Sequence, residues 1–225
     1  MRLLIMVTSC DRIPSSRKAT GVSLDSFASG YFAARDAGLD VTVCSPLGGA
    51  APIDPQSSSR RRADTPIAQR FNADRSAREV FFDALPLAEI CPGDFTGAYV
   101  PDGLGALWDL ADDADARRLM THLHDAGHPC GLVGFGVAAL LGLLAPDGRP
   151  LVVGRRLTGP TPAEARVAGL PEGTIQLDQS LCELGAHYIA GPNGVPHVEQ
   201  DGLWITGQNA GSSDGVASAL MLALS

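Results

Sequence analysis

The sequence is poor in basic residues and in long apolar runs. Lysine and arginine together number 17 against 25 aspartates and glutamates, which gives the 225 residues a formal net charge of −8. Because nucleic acids and anionic membranes attract clusters of basic side chains, this balance argues against both as partners. The one basic run, Arg60-Arg61-Arg62, lies in a polar stretch typical of a solvated loop. No apolar run approaches the ~20 residues that a membrane-spanning helix needs.

Paired cysteines, metal-ligand spacings and a signal peptide are also missing from the sequence. The five cysteines form no C-x-x-C pair and no even-numbered framework, which is typical of free thiols in a reducing compartment. The histidines show neither H-x-x-x-H nor H-E-x-x-H, so the sequence predicts no metal site. The apolar start MRLLIM reads as a first buried strand instead of a signal peptide. We therefore expect a cytoplasmic protein.

Strand-like and helical patterns alternate along the chain. Such alternation predicts an α/β fold, a three-layer sandwich with a flavodoxin-like, mostly parallel sheet and helices on both faces. Two short strands around Asp201-Gly202 predict a small C-terminal β-hairpin. The length favours a single domain over residues 1–225. The predicted strands are 2–8, 40–45, 95–101, 129–133 and 150–153, and the predicted helices are 23–37, 113–126, 136–144 and 213–224.

The segment GLVGFGVAALLG at residues 131–142 reads as a buried strand, a sharp turn and a helix. In enzymes a turn of this kind presents a nucleophile or binds a phosphate, yet its tip here is Gly134, Phe135 and Gly136. One interpretation is a G-x-G-x-x-A dinucleotide fingerprint, although the acid expected about 20 residues later is missing. The others are a nucleophile elbow that lacks its nucleophile, and a tight turn whose glycines only permit close packing.

Five further segments carry recognisable motifs: TGVSLD at 20–25, DAG followed by SPLGG within 36–49, DGLGALWDL at 102–110, GRRLTG at 154–159 and DGLWITGQN at 201–209. Together they resemble the DJ-1/PfpI superfamily, also called class I glutamine amidotransferase-like, in its Hsp31-like branch. The last motif is the most specific, and the resemblance covers nearly the whole chain. It implies the superfamily fold and a homodimer. In the family, the activities (deglycase, glyoxalase and protease-like) depend on a thiolate that attacks a carbonyl group.

The family's elbow reads Val-Cys-His-(Gly/Ala)-Pro, and the matching positions here are 133–137. The resemblance implies that Gly134 stands at the position of the nucleophilic cysteine and Phe135 at that of the adjacent histidine. It also implies that Leu104 stands at the histidine of the Gly-Gly-His-Gly motif and Asp25 at the family's glutamate. Because glycine and phenylalanine cannot supply an activated lone pair, we expect no cysteine-dependent glyoxalase III, deglycase or protease activity.

Asp25 is the predicted catalytic residue. An aspartate walled by Phe135, Leu104 and Trp108 would be desolvated, which suits general acid/base work. Capping of the following helix is the alternative role. Cys10 should lie at the rim of the pocket, either as a relocated nucleophile or as a small loop residue. The full predicted pocket is Cys10, Asp11, Gly103, Leu104, Trp108, Gly134, Phe135, Gly136 and Glu164, the last from the neighbourhood of the family's third catalytic acid.

The leading hypothesis is a cofactor-free enzyme retooled for acid/base chemistry of the lyase, hydratase, isomerase or cyclase type. Its substrate would be an apolar small molecule, and secondary metabolism is a natural setting for such a protein. Backbone N–H groups after Gly136 would hold an oxyanion without any side chain. The alternative is a pseudoenzyme that binds a small molecule or acts as a chaperone.

Overall fold

The computed structural model describes residues 1–57 and 65–225, and its centre is a seven-stranded sheet. Within those residues the strands are β1 Arg2–Met6, β2 Asp40–Ser45, β3 Leu85–Pro86, β4 Gly97–Val100, β5 Cys130–Val133, β6 Arg156–Leu157, β7 His187–Tyr188, β8 Val198–Asp201 and β9 Trp204–Gly207. The order in the sheet is β3-β2-β1-β4-β5-β9-β8. All neighbours are parallel except β8 and β9, which form an antiparallel hairpin. Strands β6 and β7 pair separately as a small parallel sheet.

Helices cover both faces of this sheet. In the described part of the chain they are α1 Leu24–Asp36, α2 Pro66–Ala73, α3 Arg75–Phe82, α4 Ala106–Asp109, α5 Ala114–Asp125, α6 Pro162–Val167, α7 Leu177–Glu183 and α8 Ser213–Leu224. Short 3₁₀ helices add Leu87–Glu89, Pro92–Asp94, Gly134–Leu140 and Ala210–Ser212. None of the helices in residues 1–57 and 65–225 combines the length and apolarity needed to cross a membrane.

Alternation of side chains along the buried strands creates two hydrophobic cores. In β1, Leu4 and Met6 belong to the core on one face of the sheet, and Leu3 and Ile5 belong to the core on the other. The second core contains an aromatic cluster of Phe27, Phe71 and Phe81, whose ring centroids lie 4.7 to 6.0 Å apart. Offset, edge-on packing of this kind adds to the stabilisation from area burial alone.

Helix α1 approaches the sheet closely because it carries a glycine where it crosses β4. A Cβ atom on Gly30 would lie 2.3 Å from the ring of Tyr99. Because Gly30 has only a hydrogen atom there, the Tyr99 ring fits beneath the helix. The Tyr99 hydroxyl then donates a hydrogen bond to the carbonyl oxygen of Ser26 at 3.0 Å. The first helix is thereby fixed over the carboxyl end of the central strands.

The predicted fold class is confirmed, and several element bounds coincide with the structure. Strand β2 and helix α8 occupy the predicted residues, and the hairpin forms around Asp201-Gly202 as expected. The predicted strand at 150–153 is wrong: Pro150 makes one isolated bridge to Leu144, and a turn follows. Pro150 lacks an N–H donor and Gly154 adopts a left-handed φ of +70°, so the chain leaves the extended conformation there.

Two other segments differ from the sequence-based expectation. The predicted helix at 136–144 is the tighter 3₁₀ helix Gly134–Leu140, and it begins directly at the end of β5. The polar stretch around Arg60-Arg61-Arg62, which is typical of a loop, is followed closely by α2, which starts after Thr65 with Pro66 in its first turn. The basic run Arg60-Arg61-Arg62 lies outside the described residues.

Candidate functional site

The turn between β5 and the 3₁₀ helix has the geometry of a nucleophile elbow. Strand β5 ends at Val133, and Gly134 then takes a φ of +53°, in the left-handed region that disfavours side chains. A Cβ atom built on Gly134 would lie 2.1 Å from Oδ1 of Asp102. Two features therefore disfavour a side chain at position 134: the left-handed backbone conformation and the overlap with the Asp102 carboxylate.

Asp102 brings that carboxylate to the elbow from the adjacent strand. It follows β4, which pairs in parallel with β5, so the two strand ends meet at the same edge of the sheet. Its Oδ1 accepts a hydrogen bond from the backbone N–H of Phe135 at 2.9 Å. Its main chain is held by Ser26, whose Oγ accepts from the Asp102 N–H at 2.9 Å, and by the Ser23 N–H, which donates to the Asp102 carbonyl at 2.8 Å. Asp102 is half-buried and fixed over the elbow.

A cavity of about 620 Å³ opens beside this carboxylate. Its volume suits a small molecule, and it lies beyond the carboxyl ends of the strands, where α/β proteins bind ligands. Its lining combines polar and apolar side chains. The described lining comprises Ser23, Asp54, Gln56, Ser57, Asp102, Gly103, Leu104, Phe135, Pro160, Ala163, Glu164, Val167, Ala168, Asn193, Gly194, Gln208, Asn209, Ala210 and Gly211.

The Glu164 carboxylate accepts hydrogen bonds from four residues. It sits in the first turn of α6 and forms a capping box with Thr161, whose N–H donates to Oε2 at 3.0 Å. The N–H of Gly194 and the side-chain amide of Asn209 each donate to Oε1 at 2.8 Å, and the amide of Gln208 reaches both oxygens at 3.1 Å. Burial raises the pKa of Glu164, but these hydrogen bonds outweigh it and hold the pKa below its ordinary value. Glu164 is thus a fixed anion that ties three segments of the cavity wall together.

Comparison with known proteins starts from sequence relatives. No family model matches the chain. The glutamine amidotransferase-like class 1 domain-containing protein 1 of Bos taurus is 28% identical over 212 residues, which is 90% of this chain and 92% of that protein. The Homo sapiens protein of the same name is 28% identical over 200 residues, which is 88% of this chain and 86% of that protein.

Solved structures agree with these relatives. Rapid Encystment Protein 24 kDa of Francisella tularensis superposes with a TM-score of 0.93 at 25% identity, over 100% of this chain and 99% of that one. Glyoxalase III of Candida albicans gives a TM-score of 0.90 at 23% identity, over 99% and 96% of the two chains. Drosophila melanogaster DJ-1beta gives 0.63 at 17% identity, over 100% and 91%. The chain has a DJ-1/PfpI-type fold and is similar in sequence to glutamine amidotransferase-like class 1 domain-containing proteins.

The DJ-1/PfpI resemblance predicted from the sequence motifs is therefore confirmed. Glyoxalase III and DJ-1beta, both below 25% identity, support the fold alone. The correspondence of Gly134 to the family's cysteine stays a prediction.

The predicted site residues divide between two places in the structure. Gly103, Leu104, Phe135 and Glu164 line the large cavity. Gly134 lies under the Asp102 carboxylate, as described above. Gly136 packs against the end of β4, where a Cβ atom would lie 2.6 Å from the carbonyl oxygen of Pro101. Cys10 and Trp108 instead line a second cavity of about 370 Å³, and Asp11 is exposed beside Arg12.

Asp25 lies in the first turn of α1, outside the described lining of both cavities. It is half-buried and accepts a hydrogen bond from the Thr65 hydroxyl at 3.1 Å, just before α2. Sequence reasoning missed Asp102, although a usable signal existed. Asp102 and Gly134 each directly follow a predicted buried strand. Residues that follow two parallel strands meet at the same edge of the sheet when those strands are adjacent.

The second cavity is lined by Asp109, which is half-buried. Asp109 accepts hydrogen bonds from the Thr8 hydroxyl at 2.8 Å and from the N–H groups of Ser9 and Cys10 at 2.6 and 2.9 Å. Burial raises the pKa of Asp109 to about 6, with the hydrogen bonds acting in the opposite direction. Burial above all also raises the pKa of the Cys10 thiol, which disfavours the thiolate form that a nucleophilic cysteine needs. No group of three potential metal ligands occurs among the described residues.

Asp109 gives the first testable prediction, on the pH dependence of stability. An acid whose pKa is raised from 3.8 to about 6 on folding binds its proton more tightly in the folded state. Its protonation therefore stabilises the fold fully below the unfolded pKa, and this contribution is lost as the pH rises towards 6. Asp109→Asn, which mimics the protonated acid, should flatten the pH dependence of the free energy of unfolding between the two values. Urea melts at several pH values measure this, and an unchanged pH profile would contradict the assignment.

Proposed function

We propose that the protein is a cofactor-free enzyme that uses Asp102 for proton transfer on a small molecule bound in the large cavity. The observation that carries the proposal is the contact at the elbow, where a Cβ atom on Gly134 would lie 2.1 Å from Oδ1 of Asp102. The carboxylate fills the space that an elbow side chain would occupy. The family resemblance implies a nucleophilic cysteine at position 134, so an acid/base group would stand where that resemblance implies a thiol.

The chemistry follows from what a fixed carboxylate can do. Removing a proton from carbon or oxygen, and returning it elsewhere, accounts for the isomerase, hydratase, lyase and cyclase reactions expected from the sequence. Asp102 replaces Asp25 in this role because Asp102 lines the cavity and Asp25 does not. The apolar wall of Leu104, Phe135 and Val167 would hold the body of the substrate and exclude water from the carboxylate.

The sequence predicted that backbone N–H groups after Gly136 would hold an oxyanion, and that role stays a prediction. The N–H of Phe135, at the elbow itself, donates to Asp102, so an anionic substrate oxygen would have to displace that carboxylate to reach it. Because the Phe135 N–H already has an acceptor, this arrangement favours the alternative function, a binding protein whose elbow takes no part in catalysis. The two functions make opposite predictions for the same experiment.

The experiment compares wild-type protein with Asp102→Asn and Asp25→Asn. Each is incubated with a library of small neutral molecules that carry an acidic C–H or hydroxyl group, and the products are followed by mass spectrometry. The enzyme proposal predicts a product of unchanged mass, or one that differs by a water molecule. It also predicts that Asp102→Asn slows the conversion about 100-fold or more. Methylglyoxal belongs in the library as a control, and we expect no D-lactate from it.

Asp25→Asn is the matched control, since it makes the same change from carboxylate to amide on a half-buried aspartate outside the cavity lining. It should convert substrate at the wild-type rate. Conversion that fails in Asp25→Asn and survives in Asp102→Asn would return the catalytic role to Asp25. Binding of library members without any conversion by wild-type protein would support the binding function instead.

A further inference from the structure

Ser23 precedes α1 at its N-cap position and lines the large cavity, but its hydroxyl group is unused. A serine at this position normally accepts a hydrogen bond from an N–H of the first helical turn. Here the Ser23 side chain makes no such bond, and the N–H of Leu24 donates instead to the hydroxyl of Ser57 at 3.2 Å. The Ser23 Oγ atom is buried and has no hydrogen-bond partner, and the residue as a whole is only 7% exposed.

An unpaired buried hydroxyl is destabilising, and such groups are rare in folded proteins. Where one persists beside a cavity, the missing partner is expected to come from a ligand. Ser23 is also joined to the elbow, because its N–H donates to the carbonyl oxygen of Asp102 at 2.8 Å. The hydroxyl and the carboxylate therefore belong to neighbouring residues of one wall.

We propose that the Ser23 hydroxyl binds a neutral oxygen atom of the ligand, a carbonyl or hydroxyl oxygen, next to the group that faces Asp102. The inference rests on the proposed role of the large cavity as a small-molecule site. A hydroxyl donates to a carbonyl oxygen and either donates to or accepts from an alcohol, so both ligand classes satisfy it. This deepens the proposed function: the substrate is a neutral ketone, aldehyde or alcohol with an apolar body.

Charge on the cavity wall selects against the anionic counterparts of these ligands. The described lining includes the carboxylate of Glu164, which accepts hydrogen bonds from backbone N–H groups and from neutral side-chain amides. Glu164 is held ionised by its hydrogen bonds, as shown by its lowered pKa. A carboxylate or phosphate group placed in the same cavity would be repelled by like charge. A neutral oxygen function meets no such repulsion.

The first test needs no ligand. Removing a hydroxyl that has no partner should leave the melting temperature of Ser23→Ala unchanged or raise it by about 2 °C. Ser45→Ala is the control, because Ser45 is also buried and unpaired but does not line either cavity in the described part of the chain. A fall of several degrees in Ser23→Ala would mean that the hydroxyl has a structural partner, and the proposal would be overturned.

The second test measures binding by NMR with a fragment library of neutral ketones and alcohols, each paired with the carboxylate of the same apolar body. Neutral members should bind, and the matched carboxylates should bind at least tenfold more weakly. Ser23→Ala should weaken the neutral fragments about tenfold, and Ser45→Ala should not change them. Equal affinity in wild type and Ser23→Ala, tighter binding of the carboxylates, or no binding at all would contradict the proposal. This binding measurement does not depend on turnover. A negative result would therefore contradict the role proposed for Ser23 and leave the catalytic role of Asp102 open to its own test.

Discussion

Gly134→Ala is expected to lower the free energy of unfolding by about 3 kcal/mol, as the sum of backbone strain and steric overlap. The left-handed φ of +53° alone costs a residue with a Cβ atom roughly 1 kcal/mol. The rest comes from the Asp102 carboxylate, which lies 2.1 Å from the position of the new methyl group and must move. Urea denaturation with linear extrapolation measures the difference.

Gly127→Ala separates the two contributions. Gly127 ends α5 with a φ of +77°, and a Cβ atom there would meet nothing within 4 Å. This control therefore carries the strain without the overlap, and about 1 kcal/mol of destabilisation is expected. If both variants lose the same stability, the carboxylate is not packed onto the elbow.

Glu164→Ala is expected to lower the free energy of unfolding by about 3 kcal/mol, because it leaves several donors without their acceptor. The N–H of Gly194 and the amides of Gln208 and Asn209 all lose a charged partner, and the capping box of α6 is broken. Since the pKa of Glu164 is lowered on folding, its contribution is present above the unfolded pKa and is lost as the pH falls through the folded value. The destabilisation measured by urea melts should therefore shrink in acid.

Glu183→Ala provides the comparison for this variant. Glu183 accepts a hydrogen bond from the Gln179 amide at 2.8 Å on an exposed helix surface, so its loss should change stability by less than about 0.5 kcal/mol. A loss in Glu164→Ala that is no larger than in this control would mean that the network around Glu164 does not stabilise the cavity wall.

The fold was predictable where local sequence decides structure. Strand β2 begins soon after Gly38 and ends before Pro46, and those two residues mark its limits directly. The strand predicted at 150–153 was wrong because an apolar run there is typical of a buried strand. The backbone conformation is instead determined by the proline that begins the segment and the glycine that follows it. An apolar run alone does not distinguish a strand from a turn.

The site was less predictable because it is assembled from distant residues. Three of the residues that donate to Glu164 lie 30 to 45 residues further along the chain, and their convergence depends on how the loops pack. The contact between Asp102 and Gly134 depends on β4 and β5 being neighbours in the sheet. The motif resemblance assigned the acid to Asp25, since alignment transfers positions one by one and does not show which other residues pack against the elbow.

The central claim is that the Asp102 carboxylate occupies the place of an elbow side chain, and a double-mutant cycle between positions 102 and 134 tests it most directly. Asp102→Gly should remove the overlap, so that Gly134→Ala costs only about 1 kcal/mol in that background, against about 3 kcal/mol in the wild type. The predicted coupling is therefore about 2 kcal/mol. Additive effects of the two substitutions, with no coupling between them, would contradict the account.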